Sequence, residues 1–350
     1  MTPNPEFVGF DLTGWPHAYG GPSATADFKT LPDDFVVEEI LGFEPEGSGE
    51  HVFLFVEKIG ENTEYVARLL ARHAGVRQRD IGYAGLKDRH GRTRQWFSVW
   101  LPGKDAPDWS VLESESLKIL QAVRHPRKLK RGVLAGNRFE ILLRNWQGDR
   151  AQAESQLRQI QTRGFPNYFG PQRFGHQGRN IDKALALFGG AKLKREQASI
   201  YLSAARSYLF NLILAGRVSQ GNWDQALAGD IFKLAASNSL FAGAAADAGL
   251  AARVAAGEIH PTGVLYGKAG LFAEADAGQI EQAVLNANPL LVEGLRVHAD
   301  AADRRALRAI PGELGWEWEH AGLRLGFSLP AGSYATALLR ELIGDESAAA

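Results

Sequence analysis

The spacing of hydrophobic residues changes once along this chain, near Ala151, and that change narrows the fold more than any other feature. From Phe35 to Asn145, short alternating segments are separated by glycines and polar turns, the pattern of strands in a mixed α/β unit. HVFLFVEK, from His51 to Lys58, is rich in β-forming residues. After Gly60 the Asn62-Thr63 pair can cap a helix running toward Ala74, with Gly75 as its left-handed stop. Residues 81–85 and 95–101 read as strands around a polar loop, 86–94, and residues 116–123 and 137–145 add two more. Beyond Ala151 the spacing is helical over 151–163 and 198–214, an Ala-rich stretch covers 235–257, and strand signals are few. The C-terminal LRLGFSLPAGSYATALLREL returns to a strand, a turn at 330–332 and a helix for which Ser333 is the expected cap.

At 350 residues the chain exceeds what one compact core usually holds, so the two textures imply two domains, or one domain with a large insertion. Hydrophobic residues are 45% and charged residues 23% of the chain, which suits a soluble globular protein and excludes a disordered one. No run approaches the roughly 18 apolar residues of a membrane-spanning helix. MTPNPEFVGFDLTGWP lacks the basic and apolar regions of an export signal, so a cytoplasmic protein without membrane contact is expected. With no cysteine, disulfides, thiol nucleophiles and thiolate zinc sites are excluded. The nine histidines show no metal-ligand spacing, and no metal is expected.

Net charge is only −1, but the average hides an asymmetry. Residues 121–180 hold 12 Lys or Arg against 3 acids, while residues 30–50 hold 7 acids and no Lys or Arg. A local excess of about +9 can gather phosphates even on a neutral molecule, although a solvated basic surface would look the same.

Three segments carry residue types suited to chemistry. GYAGLKDRHGRTRQWFS, from Gly82 to Ser98, places Asp88 between Lys87 and Arg89 on a loop joining two strands. Flanking cations lower a carboxylate pKa and keep it ionised, which suits a nucleophile rather than a general acid. Alone, such a triplet is more often a solvated charge cluster on a turn. KLKRGVLAGNRFE, from Lys128 to Glu140, is a basic approach to a strand, in which Lys128, Lys130, Arg131 and Arg138 are candidate RNA contacts. Gly132 and Gly136 would let the backbone come close to something bulky. Asn137 can read a pyrimidine edge, and Phe139 can stack on a base or fill the core of its strand. GFPNYFGPQRFGHQGRN, from Gly164 to Asn180, interleaves aromatics with Arg, as distorted RNA requires. Its candidates are Asn167, Tyr168, Arg173 and Arg179, the alternative being a packed aromatic turn. Phosphate loops, dinucleotide glycine motifs, HExxH and GxSxG are all missing.

KTLPDDFVVEE, KIGENT, GYAGLKDRHGRTRQWFS, RGVLAGNRF, PNYFGPQRFGHQGRN, LSAARSYLFN, GDI with SNSLF, IHPTGVLYG and FSLPAGSYATALLREL occur in this order over nearly the whole chain. Together they resemble the TruD family of pseudouridine synthases. By that resemblance Asp88 matches the catalytic aspartate, and Lys29, Asn137 and Phe139 match active-site positions, with Arg89 beside them as a substrate contact. The resemblance implies a mixed, mainly antiparallel central sheet in a catalytic domain of residues 1–162 and 309–350, interrupted by a mostly helical insertion, 163–308. It also implies a cofactor-free monomer acting on tRNA, at the thirteenth nucleotide of the D-arm in bacterial members. Departures are Gly91-Arg92, where Ala-Val is usual, and Val264 and Tyr266, where Pro and Trp are common.

Making pseudouridine means breaking the N1–C1′ bond, turning the bound uracil and joining C5 to C1′, with no redox step. A carboxylate can attack C6 or C1′, and the residues do not choose between them. An RNA-binding protein without catalysis would share the basic segment and aromatics but not need the Lys-Asp-Arg loop. An RNA glycosylase would share the aspartate but release free base.

Overall fold

The computed structural model describes residues 10–130, 132–237, 239–243 and 248–344. Contacts divide them into two compact units. One comprises Ala24–Asp149, Pro311–Gly332 and residues 343–344, and the other residues 10–23, Arg150–Ile310 and Ser333–Leu342. This grouping by packing puts the helices Arg150–Arg163 and Ala335–Leu339 in the second unit. The boundaries expected from the sequence put both with the catalytic domain.

The first unit is built on a sheet of nine strands among the described residues. In chain order they are β1 Ala24–Asp27, β2 Phe35–Leu41, β3 His51–Ile59, β4 Ile81–Tyr83, β5 Arg92–Trp100, β6 Leu117–His125, β7 Leu134–Gly148, then Gly312–Glu319 and Gly322–Pro330. The path runs from Gly312–Glu319 through Gly322–Pro330, β7, β2, β5 and β3 to β6, with β1 added on β7 and β4 on β5. Only β2 and β5 pair in parallel, so the sheet is mixed and mainly antiparallel, as the sequence led us to expect.

β3 is covered on both faces. Val52, Leu54 and Val56 pack with Val66, Ala67 and Leu70 of the helix α1, Thr63–His73. Phe53, on the opposite face, packs with Trp96 and Leu129. Asn62 holds the N-cap position of α1 but its side chain makes no capping bond; the Val66 N–H to Asn62 carbonyl bond (3.1 Å) closes the first turn. Gly75 follows the C-cap at φ +61°, the left-handed stop that a glycine adopts without strain. A side-chain carbon at Gly136 would run into the Leu329 carbonyl, so the bulk for which this glycine makes room is the neighbouring strand.

The second unit is mostly helical, with the 25-residue helix Arg195–Ser219 burying Leu209, Phe210, Ile213 and Leu214 at its centre. It also holds an antiparallel sheet of Leu240–Ala242, Ile231–Leu234, Ile259–Leu265 and Asp303–Ala306. Among its described residues, the Ala-rich stretch 235–257 is therefore helical only over Ala248–Ala255. Alanine favours helix by tenths of a kcal/mol, and pairing of Leu240–Ala242 with Ile231–Leu234, which packs Phe241 against buried Phe232, overrides that preference. The last helix is capped one residue later than expected, at Tyr334 and without a side-chain bond, not at Ser333. Among the described residues no helix is long and apolar enough to cross a membrane. No cluster of three or more His, Cys, Asp or Glu among them could hold a metal ion.

Candidate active site

Asp88 lies on the loop between β4 and β5, its carboxylate paired with Lys29 and accepting the His90 N–H at 2.9 Å. Burial alone would raise its pKa. The hydrogen bonds from Lys29 and the His90 amide outweigh that cost and hold the carboxyl below its ordinary range, so Asp88 is ionised at neutral pH. The flanking cations are not the cause, which corrects the expectation from the sequence. Lys87 points to Glu39 (2.8 Å) and Arg89 donates to the Gly60 carbonyl (3.0 Å). Successive side chains on a tight loop diverge, so the compensating charge comes from a distant segment. Lys29 delivers it from a left-handed backbone conformation (φ 61°), uncommon for a side-chain-bearing residue and costing about 1 kcal/mol. Its ammonium also sits 4.2 Å from the Phe35 ring centre and 5.1 Å from that of Phe28.

Beneath the loop lies a polar floor. Lys58, 1% exposed at the end of β3, donates to the Glu61 carbonyl (2.7 Å) and the Asp88 carbonyl (3.4 Å). Burial lowers its pKa to about 8, against the opposing pull of Asp88 and Glu39. Glu39, buried in β2, accepts the Trp96 N–H (2.8 Å) besides pairing with Lys87, and burial raises its pKa. Thr63 donates to Gln95 (2.9 Å) and accepts the Lys87 N–H (3.1 Å), while Gln95 donates to the Gly85 carbonyl (2.6 Å). The loop carrying Asp88 is thus tied to α1, β3 and β5 at three backbone positions.

Asn137 faces Glu39 across the β7–β2 pairing, and its side-chain oxygen is buried without a hydrogen-bond partner. A buried acceptor left open costs about 1–3 kcal/mol, which a donor such as the N3–H of a pyrimidine would recover. Phe139, two residues along β7, is only 6% exposed. Phe327 stacks on it at 5.4 Å and Phe35 tilts against it at 6.2 Å, so its ring is a packing element of the sheet face and not an open platform for a base.

Of the candidate RNA contacts, Lys130 and Arg179 are exposed. Lys128 is half-buried and donates to the Arg79 carbonyl (2.6 Å); Arg138 is exposed and pairs with Glu313 (2.9 Å). Arg131 lies outside the described residues. Asn167 and Tyr168 are 4% and 1% exposed, and both are committed internally. The Asn167 amide donates to the Ala306 carbonyl (3.0 Å), and the Tyr168 hydroxyl to that of Pro16 (3.2 Å). Pairing of Phe165–Pro166 with Arg308–Ala309 draws this segment inward, which corrects its reading as an open aromatic loop. Arg173 is half-buried against Ser203 and Tyr334.

The sequence reading placed none of Lys58, Glu39, Thr63 or Gln95 in the site, although a signal was present for the first two. Lys58 continues the inward register Val52, Leu54, Val56, and Glu39 continues Phe35, Val37. A charge on the apolar face of a strand is the mark of a buried polar site.

The family model described as tRNA pseudouridine synthase D (TruD) matches residues 17–187 and 177–342. A protein named tRNA pseudouridine synthase D from Methylococcus capsulatus (strain Bath) is 49% identical over 346 residues, 98% of this chain and 97% of the relative. One of the same name from Hydrogenovibrio crunogenus is 47% identical over 343 residues, 97% and 98% of the two chains. A solved Methanosarcina mazei structure described as tRNA pseudouridine synthase D superposes with a TM-score of 0.71 over 96% of each chain, and at 21% identity speaks for the fold alone. With a family match over most of its length and near-half identity to full-length relatives, the chain belongs to the tRNA pseudouridine synthase D (TruD) family of isomerases.

Proposed function

We propose that this protein converts uridine to pseudouridine at position 13 of the tRNA D-arm, with Asp88 as the nucleophile. The observation that carries this reading is the half-buried Asp88 carboxylate, kept ionised by Lys29 and the His90 amide on a loop pinned from below. Glu39 and Glu57, buried acids of the same sheet, are held by Lys87 and the Trp96 N–H and by Arg92 and Arg94, so neither stands free to protonate a departing base. That suits an isomerisation in which the uracil stays bound. Asp88 attacks C1′ or C6 as the N1–C1′ bond breaks. The uracil turns, C5 bonds to C1′, the C5 proton leaves, N1 takes a proton and the carboxylate is released. Asn137 supplies the acceptor for the pyrimidine N3–H, and Arg89 stands at the mouth of the loop. Lys128, Lys130, Arg138 and Arg179 gather the RNA backbone, and flipping the base costs a few kcal/mol that these contacts offset. Residues 1–162 and 309–350 form the catalytic domain and 163–308 the insertion, in a monomeric cytoplasmic enzyme.

The test is a tRNA transcript incubated with the protein and analysed for both pseudouridine and free uracil. Pseudouridine at position 13, and none in a transcript with cytidine there, is the expected result. Free uracil would make the protein a glycosylase, and binding without product would leave it an RNA-binding protein.

A further inference from the structure

A groove of about 560 Å³ opens on the sheet unit between β4 and the segment Lys128–Lys130. That volume lies within the range of small-ligand sites, about 300–1,000 Å³. Arg79, Lys128 and Lys130 line the groove, and no acid does. Arg79 and Lys130 are exposed, and their side chains have no hydrogen-bond or ion-pair partner among the described residues. The Lys128 ammonium donates to the Arg79 carbonyl (2.6 Å), a neutral acceptor that leaves its charge and two of its N–H groups uncommitted. Asp80, the acid beside Arg79 in the chain, is taken up by Arg77 (3.5 Å). Asp88 and Asn137 do not line the groove, so it is distinct from the place where the target uridine is held.

The walls are set before a ligand arrives. The Leu129 N–H bonds to the Ser98 hydroxyl of β5 (3.0 Å), and the Lys128 bond to Arg79 ties the same segment to the turn Gln78–Asp80. Three cations without a counter-charge around one concavity favour an anion, and phosphate is the anion that Arg and Lys hold with several N–H donors at once. Tyr83 adds a different chemistry. It is half-buried at the end of β4, its ring in edge contact with Phe97 (6.0 Å between centres), and its hydroxyl has no hydrogen-bond partner among the described residues. Gln78, exposed at the same groove, carries an amide that can meet a base edge. An inorganic phosphate would use the cations alone, whereas a nucleotide uses the cations, the ring and the amide together. β4 runs into the loop that carries Asp88, so the groove and the carboxylate share one strand.

We propose that this groove seats one nucleotide of the RNA substrate other than the target uridine, with Arg79, Lys128 and Lys130 on its phosphate and Tyr83 and Gln78 on its base. This rests on the reading of the protein as an RNA-modifying enzyme. The test is the salt dependence of tRNA binding, with melting temperature and pseudouridine yield measured on the same samples. Arg79→Gln is expected to weaken binding about tenfold and to reduce the slope of log K against log salt by roughly 0.7 to 0.9, with melting unchanged. Tyr83→Leu should weaken binding about fivefold or more at unchanged slope. Tyr83→Phe, which keeps the ring, should lose less than Tyr83→Leu. Normal binding and slope in Arg79→Gln overturn the site. A reduced slope in Arg79→Gln beside normal binding in a folded Tyr83→Leu leaves a phosphate contact without a base, and also overturns the proposal. If Tyr83→Leu melts early, a thiouridine-substituted transcript irradiated with the unaltered protein decides in its place. A cross-link to the peptide carrying Tyr83 is expected, and cross-links confined to other peptides overturn the proposal. Inorganic phosphate alone is the probe for the other source of the same chemistry. If it raises the melting temperature of the unaltered protein but not of Arg79→Gln, while both variants bind tRNA normally, the groove takes free phosphate and the proposal fails. An unaltered protein that binds tRNA but forms no pseudouridine would instead sink the catalytic reading, a separate failure.

Discussion

The two units bury ion pairs of similar geometry to different ends. In the helical unit Arg217 grips Asp230 through both ends of its fork (3.0 and 3.2 Å) and donates to the carbonyls of Asn222 and Gln225. Arg304 does the same with Glu281 (2.5 and 3.3 Å) and Thr262. These side chains are 0–7% exposed, and each pair ties a helix to a strand or loop. In the sheet unit the Lys29 and Asp88 side chains keep 18% and 24% of their surface, and the more deeply buried Lys58 lies below them. Closed pairs fix backbone. A pair that keeps an open edge, over a buried cation, can meet a substrate.

Exchanging one carboxylate on each side should break the comparison most sharply. Asp88→Asn is expected to reduce single-turnover pseudouridine formation below about one-thousandth of the unaltered rate, a barrier increase above about 4 kcal/mol, with little change in melting or tRNA affinity. Residual turnover well above that level would remove Asp88 from the nucleophile's role. Asp230→Asn should do the reverse. It leaves the Arg217 charge buried without its partner, at a cost of about 3–5 kcal/mol read from the urea midpoint. Protein that remains folded should still turn over normally.

Lys58 sharpens the comparison through pH. Its folded pKa, about 8, lies below the ordinary 10.5, so from about 8 to about 10.5 the unfolded chain holds a proton that the folded one does not. Stability attributable to this group therefore rises with pH across that window. If the Lys58 ammonium holds the Asp88 loop, turnover should fall above pH 8 in the same window. Activity and stability moving in opposite directions would distinguish local loosening of the loop from unfolding. In Lys58→Met the alkaline fall should vanish and the plateau drop about tenfold. A variant that keeps both plateau and limb would clear Lys58 of any positioning role.

Much of this was legible in the sequence for a physical reason. Alternation in β3 and the Asn62-to-Gly75 punctuation of α1 are local, and local pattern is what a sequence displays. The Ala-rich stretch failed as a guide because its Leu240–Ala242 pairs with Ile231–Leu234, a strand held in turn by Ile259–Leu265. The Lys87-Asp88-Arg89 triplet pointed to an ionised carboxylate through the wrong neighbours, since the Lys29 ammonium arrives from 59 residues away. Tyr168 and Asn167 have the composition of an RNA-facing loop. Only the pairing of Phe165–Pro166 with Arg308–Ala309 shows that they face inward.

The smallest effect is expected at Phe139, where the two readings of an aromatic residue separate cleanly. Leucine retains much of the apolar volume but loses the ring that stacks on Phe327 and leans on Phe35. For a packed residue, Phe139→Leu should cost about 1 kcal/mol of stability in a urea titration, the usual price of a near-isosteric core exchange. Turnover should fall only two- to threefold, about 0.5 kcal/mol of barrier, because Phe139 reaches Asp88 through Phe35 and the Lys29 ammonium above it. Were Phe139 instead a platform for the uracil, the loss would be about 1–3 kcal/mol in binding or in the transition state, with melting unchanged. A normal urea midpoint together with a rate loss of tenfold or more would return this ring to the substrate. It would also require the Phe327 face to open when RNA binds, a rearrangement visible as quenching or exposure of that cluster on titration with tRNA.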